Sequence, residues 1–170
     1  MQPRPRTRRV VIVLAVLYVG LVAAIGLWPR HVDAGLGVET WTLTTTIADA
    51  LSVPASRVVE GAEVLANTLL FVPVGAVVAV ALPRASVLAA IAAGLGVAVA
   101  IELFQWFGPL DRTASLLDVA ADVVGAVIGF GAVRAASSGS PVARAASASL
   151  AAITLGVLVV LLCGLMISGS

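Results

Sequence analysis

Long apolar runs dominate this chain and restrict it to a membrane fold. A helix needs about 20 predominantly apolar residues to cross the hydrocarbon core of a bilayer. Five runs approach or reach that length, at residues 10–28, 64–82, 86–107, 116–133 and 150–167. Only 11% of the 170 residues are charged, against about 25% in a soluble domain, and the mean hydropathy is +1.13. The sequence therefore predicts a membrane protein that crosses the bilayer several times.

The apolar runs have a helical rather than a β-type pattern. A lipid-exposed span must satisfy its own backbone hydrogen bonds, which leaves only helices or closed barrels. Barrel strands alternate apolar and polar residues over about ten positions, whereas runs such as VLAAIAAGLGVAVAI show no alternation. We therefore predict an all-α fold, in which residues 1–170 form a single membrane domain built as a polytopic bundle of about five transmembrane helices.

The arginines predict how the bundle is oriented. All ten basic residues are arginines, and an N-terminus in the cytoplasm places seven of them inside and three outside. The inner set is Arg4, Arg6, Arg8, Arg9, Arg84, Arg134 and Arg144, and the outer set is Arg30, Arg57 and Arg112. Because this split follows the positive-inside rule, we predict a cytoplasmic N-terminus.

The segments between the runs carry weaker signals. In the predicted orientation residues 29–62 form an extracytoplasmic loop, whose stretch TWTLTTTIADAL fits a short amphipathic helix in the membrane interface or over the bundle. Residues 135–148 resemble a plain inner spacer, and we expect the C-terminal span at 150–167 to pack peripherally. The first run is interpreted as an uncleaved anchor, because it exceeds the apolar core of a signal peptide, about 7–15 residues.

Polar side chains inside the apolar runs are the candidate functional residues. A charged residue at the centre of a spanning helix costs about 2.5–3.5 kcal/mol on insertion scales, so it is a functional candidate by default. The outer ends of the second, third and fourth spans each carry two polar residues spaced i,i+3 or i,i+4, which share one helix face. We expect these faces to meet in the outer half of the membrane. With the arginine on the connecting turn, this polar cluster comprises Glu63, Asn67, Glu102, Gln105, Arg112, Asp118 and Asp122.

Two ordered motifs in this region resemble the signatures of the VanZ-like family. The first family signature, N-x-x-L-F-x-P-x-G, is matched from Asn67 to Gly75. The second, E-x-x-Q followed by R and then by D-x-x-x-N-x-x-G-x-x-x-G, is matched from Glu102 to Gly129. One position departs from the pattern, since Asp122 stands where the family usually has asparagine. The resemblance covers residues 63–131.

The resemblance implies a small multi-pass protein of the bacterial cell membrane. The family's namesake is associated with resistance to the glycopeptide teicoplanin, so the resemblance implies a role in antibiotic resistance or elsewhere in the cell envelope. The expected partners are membrane lipids and a cell-wall precursor or lipid headgroup, with no nucleic acid. We expect no cofactor and no metal, since the lone cysteine, Cys163, has no second cysteine to accompany it as a ligand.

Several hypotheses for the polar cluster stay open at this point. The favoured one is a binding site, in which Arg112 holds a phosphate or carboxylate while the acids and amides accept hydroxyl or amine donors. A structural cluster is the main alternative, with Arg112 paired to Asp118 or Asp111. An enzyme is a third, in which the acids bind Mg²⁺ or act as an acid/base pair on a lipid-linked substrate. Proton-coupled transport is the fourth.

Overall fold

The fold is known from a computed structural model that describes residues 13, 16–22, 24, 37–107 and 115–168. All regular secondary structure in these residues is helical, which confirms the predicted all-α fold. A 3₁₀ turn at Val38–Thr40 precedes five helices, which we number α1 (Thr42–Leu51), α2 (Ala55–Ala81), α3 (Val87–Phe107), α4 (Leu116–Ala136) and α5 (Pro141–Ser168). Residues 16–22, inside the first predicted span, are also helical.

Within the described residues, three helices are long and apolar enough to cross a membrane, namely α2, α3 and α4. They correspond to the second, third and fourth predicted spans. Helix α5 carries a shorter apolar stretch, Ser147–Val160, which overlaps the fifth predicted span. The helical bundle therefore agrees with the predicted membrane architecture, while its orientation stays a prediction.

The predicted inner spacer at residues 135–148 is wrong in its second half. Helix α5 begins at Pro141, and only a short turn separates it from α4. Proline is well suited to the first helical position, since the missing N–H has no partner there anyway. The residues that follow are mostly alanine, the best helix former, so serine content alone was a poor indicator of a spacer.

The predicted amphipathic helix of the outer loop is present as α1. Its apolar residues Leu43, Ile47 and Leu51 recur every four positions and are all exposed. Trp41, directly before the helix, is also exposed. An exposed apolar stripe with an adjacent tryptophan is typical of a helix that lies in a membrane interface.

Helices α2 and α4 pack against each other through glycines. A Cβ atom added to Gly125 or Gly129 would collide with the backbone carbonyls of Thr68 and Val72, respectively. One added to Gly75 would collide with the carbonyl of α4 residue Ala126. Contacts at residues 68 and 125, then at 72 and 129, show that the two helices run parallel. The G-x-x-x-G pattern formed by Gly125 and Gly129 thus allows the close approach of these two helices.

Helix α3 runs antiparallel to α4 and contacts it along the same region. A Cβ on Gly94 would lie 2.8 Å from the side chain of Ala126. A Cβ on Gly96, two residues further on, would meet no atom within 4 Å, and this glycine is exposed. Close approach therefore involves only the first of the two α3 glycines.

A tyrosine from the first predicted span supports the proline of α2. Pro73 lies inside the helix and has no N–H to donate, so it disturbs the backbone hydrogen bonds of the preceding turn. The hydroxyl of Tyr18 donates to the carbonyl of Leu70 at 2.7 Å. This bond ties the first span to α2 beside the irregular turn.

The turn between α2 and α3 is held by an arginine of α4. Arg134 donates to the carbonyls of Leu82 and Ala85, at 3.2 and 3.0 Å. Its guanidinium also lies 4.9 Å from the ring centre of Phe130. Arg134 belongs to the last turn of its helix, where the helix dipole favours a cation.

Candidate functional site

Helices α3 and α4 bring three carboxylates together. Glu102 lies near the end of α3, and Asp118 and Asp122 lie in the first two turns of α4. Because the two helices are antiparallel, these segments meet at the same end of the bundle. The carboxylates of Asp118 and Glu102 are close enough to act electrostatically on Asp122. This proximity is consistent with the predicted cluster, whose role as a site stays a prediction.

Glu102 has a structural contact that the sequence analysis did not foresee. Its Oε2 accepts a hydrogen bond from the backbone N–H of Ser115 at 2.9 Å. Ser115 is the N-cap of α4, and its hydroxyl accepts from the N–H of Asp118 at 3.3 Å. In a capping box the third helical residue would bind the N-cap N–H. Here Glu102 does so from a neighbouring helix, which fixes the start of α4 against the end of α3.

Asp122 is the most buried of the three acids. It is 8% exposed and lies one turn before Gly125 and Ala126, the residues that contact α2. Its neighbour Ala121 is buried as well. The carboxylate of Asp122 thus lies where α2, α3 and α4 converge, with two further carboxylates as its electrostatic neighbours.

The other predicted site residues differ in the solvent exposure of their side chains. Gln105 is buried, Asn67 is half-buried and Glu63 is exposed. Asn67 precedes Thr68, whose carbonyl faces Gly125, so the amide lies within about one helical turn of Asp122 along the bundle axis. Of the predicted residues, Arg112 lies outside the described part of the chain. The membership of the polar cluster as a whole stays a prediction.

Cations and metal ions are the groups that would neutralise three neighbouring carboxylates. Of the three arginines predicted to lie outside, only Arg57 is described, and it pairs with Glu60 at 2.8 Å on the surface. Among the described residues, no group of three or more histidine, cysteine or acidic side chains is arranged to hold a metal ion.

The arrangement suits a ligand that donates hydrogen bonds or carries positive charge. Three carboxylates at one helix junction repel one another when ionised, and a neighbouring hydroxyl, amine or guanidinium relieves that repulsion. The amides of Asn67 and Gln105 can either donate or accept. No cysteine nucleophile accompanies the acids: within the described residues, the only cysteine is exposed in α5.

The described residues define an all-α membrane bundle in which Glu102, Asp118 and Asp122 lie at one end of the α3–α4 pair. A family model described as VanZ/LLP1 matches residues 15–137, and the chain belongs to that family. The match extends beyond residues 63–131, on which the resemblance was based. No curated protein and no solved structure gives a significant match.

Two structural contacts near the site were missed by the sequence analysis. Ser115 is followed three positions later by Asp118, which is a sequence signature of a helix start that we did not use. The contact of Glu102 with Ser115 spans two helices, and no local pattern in the sequence indicates it. The first contact was therefore predictable, whereas the second required the fold.

Proposed function

We propose that this protein acts in the bacterial cell membrane and binds a polar headgroup or cell-wall precursor at the outer leaflet through its polar cluster. Asp118 and Asp122 accept hydroxyl or amine donors of the ligand, while Asn67 and Gln105 orient it. Arg112, which lies between α3 and α4 in the sequence, holds a phosphate or carboxylate group. Through this binding the protein lowers the access of teicoplanin to its envelope target.

The observation that supports this proposal is the position of Asp122. The carboxylate of Asp122 is 8% exposed and has two other carboxylates as electrostatic neighbours. Burial in such a place is unfavourable for folding, and polar contacts between membrane helices contribute only about 0.6 kcal/mol on average. Stability alone therefore does not explain an acid at this position. Glu102 has a structural use as a helix cap. Asp122 has no comparable use among the described contacts, so its position favours a ligand.

Exposed aromatic residues support a location at the membrane surface. Phe104, Trp106 and Phe107 end α3 next to the polar cluster and are largely exposed. Aromatic side chains, tryptophan above all, are enriched where the bilayer meets water. This supports the proposal that the cluster faces the polar groups of lipid headgroups or membrane-linked precursors.

The test is growth inhibition by teicoplanin, with vancomycin alongside, in a sensitive Gram-positive host. The host expresses wild type, Asp122→Ala, Arg112→Ala or Asp49→Ala at membrane levels matched by immunoblot. Asp49→Ala is the control, because it removes an exposed acid from α1 that is not a member of the cluster. We expect wild type and Asp49→Ala to raise the inhibitory concentration of teicoplanin, and both cluster variants to lose that protection.

Two results would contradict the proposal. One is wild-type protein that reaches the membrane and gives no protection against either glycopeptide. The other is equal protection by all four proteins, which would separate resistance from the polar cluster. Glu102→Ala is not used here, since it also removes the cap of α4 and confuses binding with folding.

A further inference from the structure

An apolar cavity lies further along the bundle, and its lining contains none of the residues of the polar cluster. The cavity of about 330 Å³ lies between α2, α4 and α5, with Tyr18 in its lining. Its lining is almost entirely apolar and includes Pro73, Gly129 and Leu158. Small-molecule pockets typically measure about 300–1,000 Å³, so this one has room for a single slender apolar group.

One hydroxyl of the cavity lining lacks a partner. Thr154 is 5% exposed, and its Oγ1 is buried without a hydrogen bond. Other helical hydroxyls in this protein donate to the carbonyl one turn back, as Thr68 does to Val64 at 2.8 Å and Ser137 to Val133 at 2.7 Å. A buried hydroxyl with no acceptor is unfavourable. An occupant that brings an acceptor into the cavity would remove that cost.

A cation lies on the same face of α5 as the cavity. Arg144, Ser147, Ala151, Thr154 and Leu158 follow each other at alternating spacings of three and four, so they form one stripe of the helix. The last four line the cavity. Arg144 is exposed and lies about 15 Å from Thr154 along the helix axis, toward the turn between α4 and α5.

We propose that this cavity binds one acyl chain of an anionic phospholipid from the leaflet next to the α4–α5 turn, the cytoplasmic leaflet in the predicted orientation. The acyl chain lies against the apolar lining, an ester carbonyl accepts from the hydroxyl of Thr154, and the headgroup phosphate lies on the Arg144 side of the ester, within the roughly 10 Å over which an arginine charge acts. Positive side chains at the cytoplasmic surface attract anionic lipids. This site is separate from the polar cluster and does not depend on the function proposed for it.

Water or a second copy of the chain would explain the features of this cavity less well than a lipid does. A buried water needs two to four polar partners, and the lining offers few: the hydroxyl of Ser147 already donates to the carbonyl of Ala132 at 2.9 Å. A second copy would not explain why an arginine and an unpartnered hydroxyl share the stripe. An amphiphile has a matching group for each feature of the site. Its negative headgroup matches Arg144, its ester matches the hydroxyl of Thr154, and its acyl chain matches the apolar lining.

The test is native mass spectrometry of the full-length protein in detergent, with phosphatidylglycerol and phosphatidylcholine of identical acyl chains. We compare Ala151→Trp, which fills the cavity, with Ala152→Trp, a control at the next residue, which is exposed and outside the lining. Thr154→Val removes the hydroxyl at nearly constant shape, and Arg144→Gln removes the charge. Melting temperature and elution as a single species check that each variant is folded.

We expect wild type and Ala152→Trp to retain one phosphatidylglycerol in preference to phosphatidylcholine, and Ala151→Trp to lose it. Arg144→Gln should bind the two lipids equally, and Thr154→Val should bind both about two- to tenfold more weakly. Equal binding of the two lipids to wild type would overturn the proposal. So would equal loss in both tryptophan variants, or a dimer that Ala151→Trp abolishes. If Ala151→Trp fails to fold, the two conservative variants still decide the question.

Discussion

Two neighbouring regions of the α2–α4 pair are built in contrasting ways. At the end where α4 begins, carboxylates lie at the helix junction, and Asp122 is buried among them. A turn further along, Gly125 and Gly129 bring the helix backbones into direct contact. Backbone contact leaves no room for water or lipid, so this second region behaves as a rigid support. We infer that the glycines hold the acids in place and that Asp122, unlike the capping residue Glu102, contributes little to stability.

Two charged residues of α4, Arg134 and Asp122, show the same contrast in their surroundings. Arg134, at the far end of α4, satisfies its charge with two carbonyls and an aromatic ring. Asp122 has other acids as its electrostatic neighbours. A polar residue kept for stability is expected to look like Arg134, and one kept for binding is expected to look like Asp122.

The largest effect is expected at the glycine contact. Gly129→Val places two methyl groups and a Cβ where the carbonyl of Val72 lies, so α2 and α4 must separate. Overpacking of a tight core costs about 1–3 kcal/mol and sometimes more, and we expect at least about 3 kcal/mol here because the obstacle is backbone. The measurement is the melting temperature and yield of folded protein in detergent.

A matched control lies two residues away on the same helix. Gly131 has open space where a Cβ would be added, so Gly131→Val should leave stability unchanged or raise it by less than about 1 kcal/mol, because valine has a higher helix propensity than glycine. Similar melting temperatures for the two variants would show that the glycine contact is not the support we describe.

An intermediate effect is expected at the cap between α3 and α4. Glu102→Ala removes the acceptor for the N–H of Ser115, and Ser115→Ala removes the acceptor for the N–H of Asp118. Loss of an N-cap side chain typically costs about 1 kcal/mol. We expect a similar loss from each variant, measured as melting temperature, with Glu102→Gln in between because an amide oxygen still accepts.

The two capping variants should also be coupled, since their hydrogen bonds stabilise the same helix start. We expect the double variant to lose less stability than the sum of the single ones, as residues in one network do. If Glu102→Ala leaves the melting temperature unchanged yet abolishes glycopeptide protection, Glu102 belongs with the binding residues and the division between the two regions needs revision.

The sequence predicted the fold more fully than the site, for physical reasons. Apolar length and the absence of alternation define membrane helices locally, so α3 was predicted to within one residue at its start and matched at its end. The pattern G-x-x-x-G likewise reports close packing from one helix alone. By contrast, the contact of Glu102 with Ser115 and that of Tyr18 with Leu70 join residues on different helices, and neither leaves a local signal.

The smallest effect on stability is expected at Asp122 itself. Asp122→Asn keeps the size and polarity of the side chain and removes one of three neighbouring negative charges, so we expect the melting temperature to stay level or rise, by a change within about 1 kcal/mol. It also restores the residue that the family usually carries, and under the proposed binding function protection against teicoplanin should persist. Asp118→Asn is the matched comparison at the half-buried acid one turn earlier. A stable Asp122→Asn protein that no longer protects would mean that the negative charge itself is required, which favours proton or metal chemistry over headgroup binding.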